Sequence, residues 1–266
     1  MKFAHLSDLH FGRRVSHRKL DSLARDIVSQ APELLVITGD ITDRGRVSQF
    51  RWASDFLKSL RIPFITVPGN REISFSAIWE WMLPSLAMRR YRSFFGASDR
   101  VLYHCPQANT VFFGLNSVHQ LPSWPGTIAR ESRYWLKEQA AGFPGSVKVL
   151  FVHHPVLPVI RASSFWAHSL SDAGALLNVC TQTGIGLILQ GHKHRSAVME
   201  LHYPERKARV VISSCGAPLL SLWDSVYHLI DVSPSMTCVQ PREFIEEDGG
   251  FVKTAAYEFA VDGSGD

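Results

Sequence analysis

Five short segments of this chain carry the residue types that hold metals or phosphate. They are Asp8-Leu9-His10, Gly39-Asp40-Ile41-Thr42-Asp43, Gly69-Asn70-Arg71-Glu72, His153-His154 and Gly191-His192-Lys193-His194. Carboxylate, amide oxygen and imidazole together make a mixed oxygen and nitrogen donor set. Such a set suits manganese, iron or zinc better than magnesium or calcium, which favour all-oxygen shells. Taken singly, each segment is weak, because Gly-Asp is a common turn dipeptide and a His-His pair can be a satisfied core feature. Their context says more. Each follows a short apolar run that reads as a strand, at residues 3–6, 34–38, 64–67, 147–152 and 186–189.

The elements between those runs are helical. Leu20, Leu23, Ala24, Ile27 and Val28 recur at helical spacing, as do Phe50, Ala53, Phe56, Leu57 and Leu60. The order β-α-β-α-β first suggests a buried, largely parallel sheet with helices outside. In such an architecture the loops at the carboxyl ends of the strands line one crevice, so ligands distant in sequence converge. Further strands are expected at 110–115, 210–213 and 227–232, and helices near 131–141 and 171–180. Residues 73–95 change character, with Trp79, Trp81, Met82, Leu83 and Leu86 ahead of Arg89-Arg90-Tyr91-Arg92 and Phe94-Phe95. They read either as a helical cap packing aromatics on the core or as an apolar, basic-edged lid at a lipid surface. Residues after Gln240 read as an acidic, weakly ordered tail or an edge hairpin.

Composition bounds the function. With 45% hydrophobic and 20% charged residues over 266 positions, the chain can bury a core and is not a disordered protein. Its apolar runs are strand-sized, far short of the roughly 20 residues of a membrane span, and Met1-Lys2-Phe3 leads straight into a strand. A cytoplasmic protein is therefore expected, peripheral on the inner face of the membrane if 73–95 is a lid. Cys105, Cys180, Cys215 and Cys238 form no CxxC pair and read as reduced core residues. Residues 241–266 hold seven acids against Arg242 and Lys253, a net of −5; with the whole chain at +4, the preceding 240 residues carry +9. No basic helix or aromatic-interleaved stripe accompanies that charge, so nucleic acid is not the expected partner. An anionic, phosphate-containing small molecule or lipid nucleotide fits. The oligomeric state has no signature.

The ordered set D-x-H, G-D-x-x-D, G-N-x-E, H-H and G-H-x-H resembles the calcineurin-like metallophosphoesterases over about residues 3–232. The resemblance implies an α/β, four-layer fold in which two mixed β-sheets are sandwiched between helices. It makes 1–240 the phosphoesterase domain, with 73–95 as a cap and 241–266 as a tail. It also implies a two-metal site: Asp8, His10 and His194 on one ion, Asn70, His153 and His192 on the other, and Asp40 bridging both. The implied cofactors are two divalent ions, Mn²⁺ foremost, with iron or zinc as alternatives. In that chemistry a bridging hydroxide attacks phosphorus while the metals clamp phosphoryl oxygens. Asp40, Asn70, Arg71 and His153 are the residues expected to act directly.

One position departs from the family's usual G-N-H-[DE]: here Arg71 stands where a histidine contacts phosphate and is often proposed to protonate the leaving group. Arginine cannot donate a proton near neutral pH, but it can fork onto phosphate oxygens. That swap favours a leaving group needing no proton, such as a phosphate. Gly-Asn-Arg-acid also resembles the bacterial enzymes that hydrolyse UDP-2,3-diacylglucosamine to release UMP in lipid A biosynthesis. The first expectation is therefore a phosphoanhydride substrate of that kind. The segments Tyr91–Gly96, Gly114–Ser117 and His153-His154-Pro155 instead resemble the cyclic-nucleotide phosphodiesterase branch, making a cyclic or other diester the alternative. An idle scaffold and a nuclease are readings of other classes. Asp43 falls outside the ligand set, as a loop cap or a partner of the ligands, and His5 reads as a core residue or one that supports the site from the strand before it. Arg13-Arg14, Arg44, Arg46 and Arg195 are candidates for steering or loop support, and His17 and His119 for a replacement acid.

Overall fold

The computed structural model describes residues 1–12, 15–73, 88–96, 99–118, 125–159 and 169–260. Its first half runs β1 (Lys2–Leu6), α1 (His17–Gln30), β2 (Leu34–Ile37), α2 (Val47–Ser59), β3 (Phe64–Thr66), α3 (Arg89–Phe95), β4 (Arg100–Cys105) and β5 (Thr110–Leu115). The second half continues with α4 (Arg130–Ala141), β6 (Val147–Phe151), α5 (Ala173–Thr183), β7 (Ile185–Gln190), β8 (Ala197–Tyr203) and β9 (Ala208–Ser214). It ends with β10 (Val226–Val232), β11 (Met236–Ile245), β12 (Gly250–Lys253) and β13 (Tyr257–Ala260).

The strands form two sheets rather than the one parallel sheet that element order suggests. The first runs β12-β11-β10-β1-β2-β3, with β13 also pairing β11; the second runs β4-β5-β6-β7-β9-β8. Both are mixed. β1 pairs parallel with β2 but antiparallel with β10, and β7 pairs parallel with β9 while β8 pairs antiparallel with it. The difference arises because β10 comes from far along the chain, a long-range choice that local periodicity does not encode.

Period-two alternation explains the layering. Phe3, Leu34 and Val36 point into the space between the sheets, where they meet Phe112, Val149, Phe151, Leu187, Leu189 and Ile230. Their sequence neighbours Ala4, Leu6, Leu35 and Ile37 point the other way, onto Leu23, Ile27, Phe50 and Leu57 of α1 and α2. Leu136, Ala140, Leu176 and Cys180 of α4 and α5 cover the outer face of the second sheet. Four layers result, helix–sheet–sheet–helix, and the central strands β1, β2, β5 and β7 are buried on both faces.

Ser16 caps α1 by accepting the Lys19 N–H. Of segment 73–95, residues 74–87 lie outside the described residues. The rest packs as a cap: Tyr91 is buried, Phe94 stacks on Phe50 at 5.6 Å, and Phe95 meets Phe64. Nor do residues past Gln240 trail away. β11 crosses that boundary, and β12 and β13 both pair with it, so the acidic segment forms sheet edge through residue 260. Among the described residues no helix is long and apolar enough to cross a membrane.

Candidate metal centre

The site sits where β1, β2, β3, β6 and β7 end. Beyond the strands the backbone keeps pairing: Asp8 N–H donates to Gly39 C=O, His10 N–H to Asp40 C=O, and Gly191 N–H to His153 C=O, each at 3.0 Å. Asp8, His10, Asp40, His192 and His194 all adopt left-handed backbone, with φ between 47° and 71°. Each such non-glycine conformation costs about 1–3 kcal/mol and persists only where surrounding contacts over-determine it. Here it turns each side chain out of its strand line into one crevice. Gly69 and Gly191 permit the close approach. A Cβ on Gly69 would lie 2.2 Å from Asp40 Oδ1, and one on Gly191 would lie 1.8 Å from Ser7 Oγ.

Two donor clusters share one carboxylate. In the first, His10 Nε2 and His194 Nε2 lie 2.9 Å apart, with Asp8 Oδ1 3.1 Å from His194 and 3.7 Å from His10. In the second, His153 Nε2 faces both Asn70 Oδ1 and His192 Nδ1 at 3.1 Å. Asp40 reaches both, with Oδ2 3.8 Å from His10 Nε2 and Oδ1 3.4 Å from His153 Nε2. All seven residues inferred from the sequence therefore converge, and Asp40 stands between the two groups.

These residues fit cations. His153 Nδ1 donates to Thr38 C=O at 2.7 Å, which leaves Nε2 as the nitrogen turned to the site, facing two acceptors, Asn70 Oδ1 and the Asp40 carboxylate. Oxygen acceptors and imidazole nitrogens gathered around one point form a donor set that a cation would satisfy. Asp8 Oδ1 is fully buried and makes no hydrogen bond among the described residues, a loss that a positive ion would remedy. Burial alone would raise the Asp8 carboxyl, but the charge of His194 and the close approach of both His194 and His10 hold it well below the usual carboxylate range. Burial would likewise depress His194, yet Asp8 and Asp40 hold it up. The same negative field favours a divalent ion. His192 moves the other way, pushed well below the ordinary imidazole value by burial and by neighbouring His153 and His154. It is a neutral ligand.

A surrounding layer sets the geometry. Asp8 Oδ2 accepts Ser7 Oγ–H at 2.6 Å and His192 N–H at 2.8 Å, locking the first and fifth motifs together. Arg71 N–H donates to Asp40 Oδ1 at 2.8 Å. Glu72 accepts from Gly69 N–H at 2.7 Å and from the Thr42 N–H and hydroxyl at 2.9 and 3.0 Å, holding the third motif's tight turn. Its carboxyl is pushed up to about 8 by burial and by Asp40. Sequence reasoning quoted Glu72 but gave it no role; the signal was an acid three residues past Gly69, the spacing that lets a side chain reach back to a turn's first N–H.

The remaining candidates divide. The Arg71 side chain is exposed on the rim and its charge is felt at His194. His5 is buried between the sheets, bonded to Ser213 Oγ at 2.9 Å and Thr38 Oγ1 at 3.0 Å, outside the ligand set. Asp43 pairs with Arg44 at 3.4 Å and touches neither cluster. His17 stacks on Trp52 at the start of α1. Arg195 pairs with Asp224 at 2.6 Å. Arg13, Arg14 and His119 lie outside the described residues. The sequence reading gives Thr38, Ser7 and His154 no separate role; His154 Nδ1 meets Ser117 Oγ at 2.9 Å and its ring lies 4.6 Å from that of His192.

A fold of two mixed sheets with a shared-carboxylate donor pair at the strand ends defines a metallophosphoesterase. The calcineurin-like phosphoesterase family model matches residues 1–196, and the chain belongs to that family. Two curated relatives are similar in sequence. "Probable glycerophosphodiester phosphodiesterase GpdQ" of Arcobacter nitrofigilis is 27% identical over 128 residues, 48% of this chain and 44% of the relative. "3',5'-cyclic adenosine monophosphate phosphodiesterase CpdA" of Escherichia coli K12 is 26% identical over 186 residues, 69% of this chain and 61% of the relative. The matches thus span less than two thirds of either relative. A dimetal phosphatase from Danio rerio shares the fold, with a TM-score of 0.67 at 15% identity over 95% of this chain and 98% of that one.

Proposed function

We propose that this protein is a two-metal phosphodiesterase acting on an anionic small molecule. The observation that carries the reading is Asp40, placed between Asp8–His10–His194 on one side and Asn70–His153–His192 on the other. A pair of manganese, iron or zinc ions held there would supply Lewis acidity to phosphoryl oxygens and a water acidic enough to attack phosphorus. The chain's own residues do the rest. Thr38 fixes the His153 tautomer, Ser7 and the His192 backbone aim Asp8, and the Arg71 backbone aims Asp40. The exposed Arg71 guanidinium would bind a phosphate oxygen and offset charge developing during attack. The two curated relatives support a diester over the anhydride expected from Arg71, since both are named for diesters.

The test is hydrolysis by Mn²⁺-reconstituted protein, followed by phosphorus NMR. Glycerophosphocholine, 3′,5′-cyclic AMP and UDP-2,3-diacylglucosamine are offered side by side. Turnover of either diester at rates above that of the lipid nucleotide is expected. Release of UMP with both diesters untouched would replace this reading with the pyrophosphate one.

A further inference from the structure

Beside the ligand His194 lies an indole that none of the chemistry above uses. The Trp223 ring centroid is 5.0 Å from that of His194, with the planes at 82°. The Arg195 guanidinium sits over the indole, 5.4 Å from a ring centroid. Trp223 nevertheless keeps 41% of its surface exposed, and the adjacent Leu222 keeps 81%. A tryptophan serving only as core would be closed over; this one is left open next to a donor cluster.

Its placement is built. Asp224 Oδ1 accepts from Arg195 at 2.6 Å, Asp224 Oδ2 from Ser196 N–H at 3.0 Å, and Asp224 N–H donates to His194 C=O at 3.3 Å. The Asp224 carbonyl accepts both Ala217 and Val226 N–H at 2.8 Å. The segment bearing Leu222 and Trp223 is therefore latched to the loop that bears His192 and His194. The open indole adjoins exposed Leu222 and has the Arg195–Asp224 pair at its edge. An open indole with a guanidinium against it suits a flat ring with polar edges.

We infer that Trp223 is a stacking platform for a nucleobase, so that the site selects base-bearing phosphates over ring-free ones. The inference rests on the phosphodiesterase reading and deepens it by naming the substrate class. Indole–base stacking is sequence-tolerant, and an adjacent arginine reinforces it.

The test reads binding without turnover. Isothermal titration of Mn²⁺-loaded protein compares adenosine 5′-monophosphate with glycerol 3-phosphate, in wild type and in Trp223→Leu, Trp223→Ala and Trp223→Phe. Wild type should prefer the nucleotide by about tenfold. Both ring-free variants should bring the ratio close to one, Trp223→Phe should restore most of it, and Mn²⁺ stoichiometry should hold throughout. A preference that survives in Trp223→Leu, or is missing in wild type, overturns the platform. Equal weakening of both ligands together with loss of Mn²⁺ would make Trp223 a prop for His194 and overturn it too. Failure of the diester assay with the binding ratio intact would instead count against the reaction alone.

Discussion

Gly191→Ala is the sharpest probe of how the two halves of the site are locked together. The added Cβ would lie 1.8 Å from Ser7 Oγ and 2.8 Å from Asp8 Oδ2, whereas ordinary contact begins at 3.4 Å. Either the Ser7-Asp8 turn or the loop carrying His192 and His194 must retreat by about 1.6 Å. Retreat breaks the 2.8 Å bond from His192 N–H to Asp8 Oδ2 or the 2.6 Å bond from Ser7, and both aim a metal-facing carboxylate. Loss of such outer partners lowers metal affinity or activity by about 10–100-fold. A misplacement of about 1 Å lowers rate by about 100-fold. Gly191→Ala should therefore bind Mn²⁺ about 100-fold more weakly by isothermal titration and lose at least that factor in hydrolysis of bis(p-nitrophenyl) phosphate. Gly186→Ala, near the start of β7 with no contact beyond its chain neighbours within 4 Å of its Cβ among the described residues, is the control and should match wild type. Two Mn²⁺ bound at wild-type affinity by Gly191→Ala would refute the idea that this contact positions the ligands.

Other perturbations separate the remaining roles. Asp40→Ala should abolish binding of both ions, because its two oxygens face different clusters, whereas His194→Ala should keep one equivalent; metal analysis after dialysis distinguishes them. Arg71→His should retain both metals, since the bond to Asp40 comes from the backbone N–H. It should also raise kcat/KM on alkyl diesters relative to p-nitrophenyl diesters by about tenfold or more, the low end of general-acid catalysis; unchanged relative rates would refute that role. Burial pushes the His228 imidazole down to about 3. Between pH 6.5 and 3 the unfolded chain therefore binds a proton that the folded chain refuses, so stability is full above pH 6.5 and falls as pH drops. A shift of that size corresponds to about 4–5 kcal/mol over the window. Denaturant unfolding of His228→Asn should show a correspondingly shallower acid slope than wild type, and parallel slopes would count against it.

The strands that carry ligands were legible because they are buried on both faces, so they read as uninterrupted apolar runs such as Leu34-Leu35-Val36-Ile37. β4 and β8 were not. They lie at the two edges of the second sheet, and runs such as Arg100-Val101-Leu102-Tyr103-His104-Cys105 carry their exposure as alternation rather than as hydrophobicity. The ligands were readable because carboxylates and imidazoles at strand ends have few structural uses in common. Their supports were not, because a main-chain carbonyl such as that of Thr38 has no side-chain signature. Trp223 was hidden for a different reason: one indole in a Leu-rich segment looks like core until its exposure and its neighbour His194 are seen together.

The pairing of β1 with β10 carries a consequence for how the molecule comes into being. Phe3 lies opposite Ile230 and His5 opposite His228, and the amino terminus donates to Val232 C=O at 2.8 Å. β1 therefore waits for a strand that leaves the ribosome more than two hundred residues after it. Until then β1 presents a bare hydrogen-bonding edge, and His5 lacks the Ser213 that partners it. Pairings of such sequence separation slow folding and leave edges open to mispairing in the interval. The donor clusters obey the same constraint, since they join Asp8 and Asp40 to His192 and His194 and so assemble only after β7 has been made.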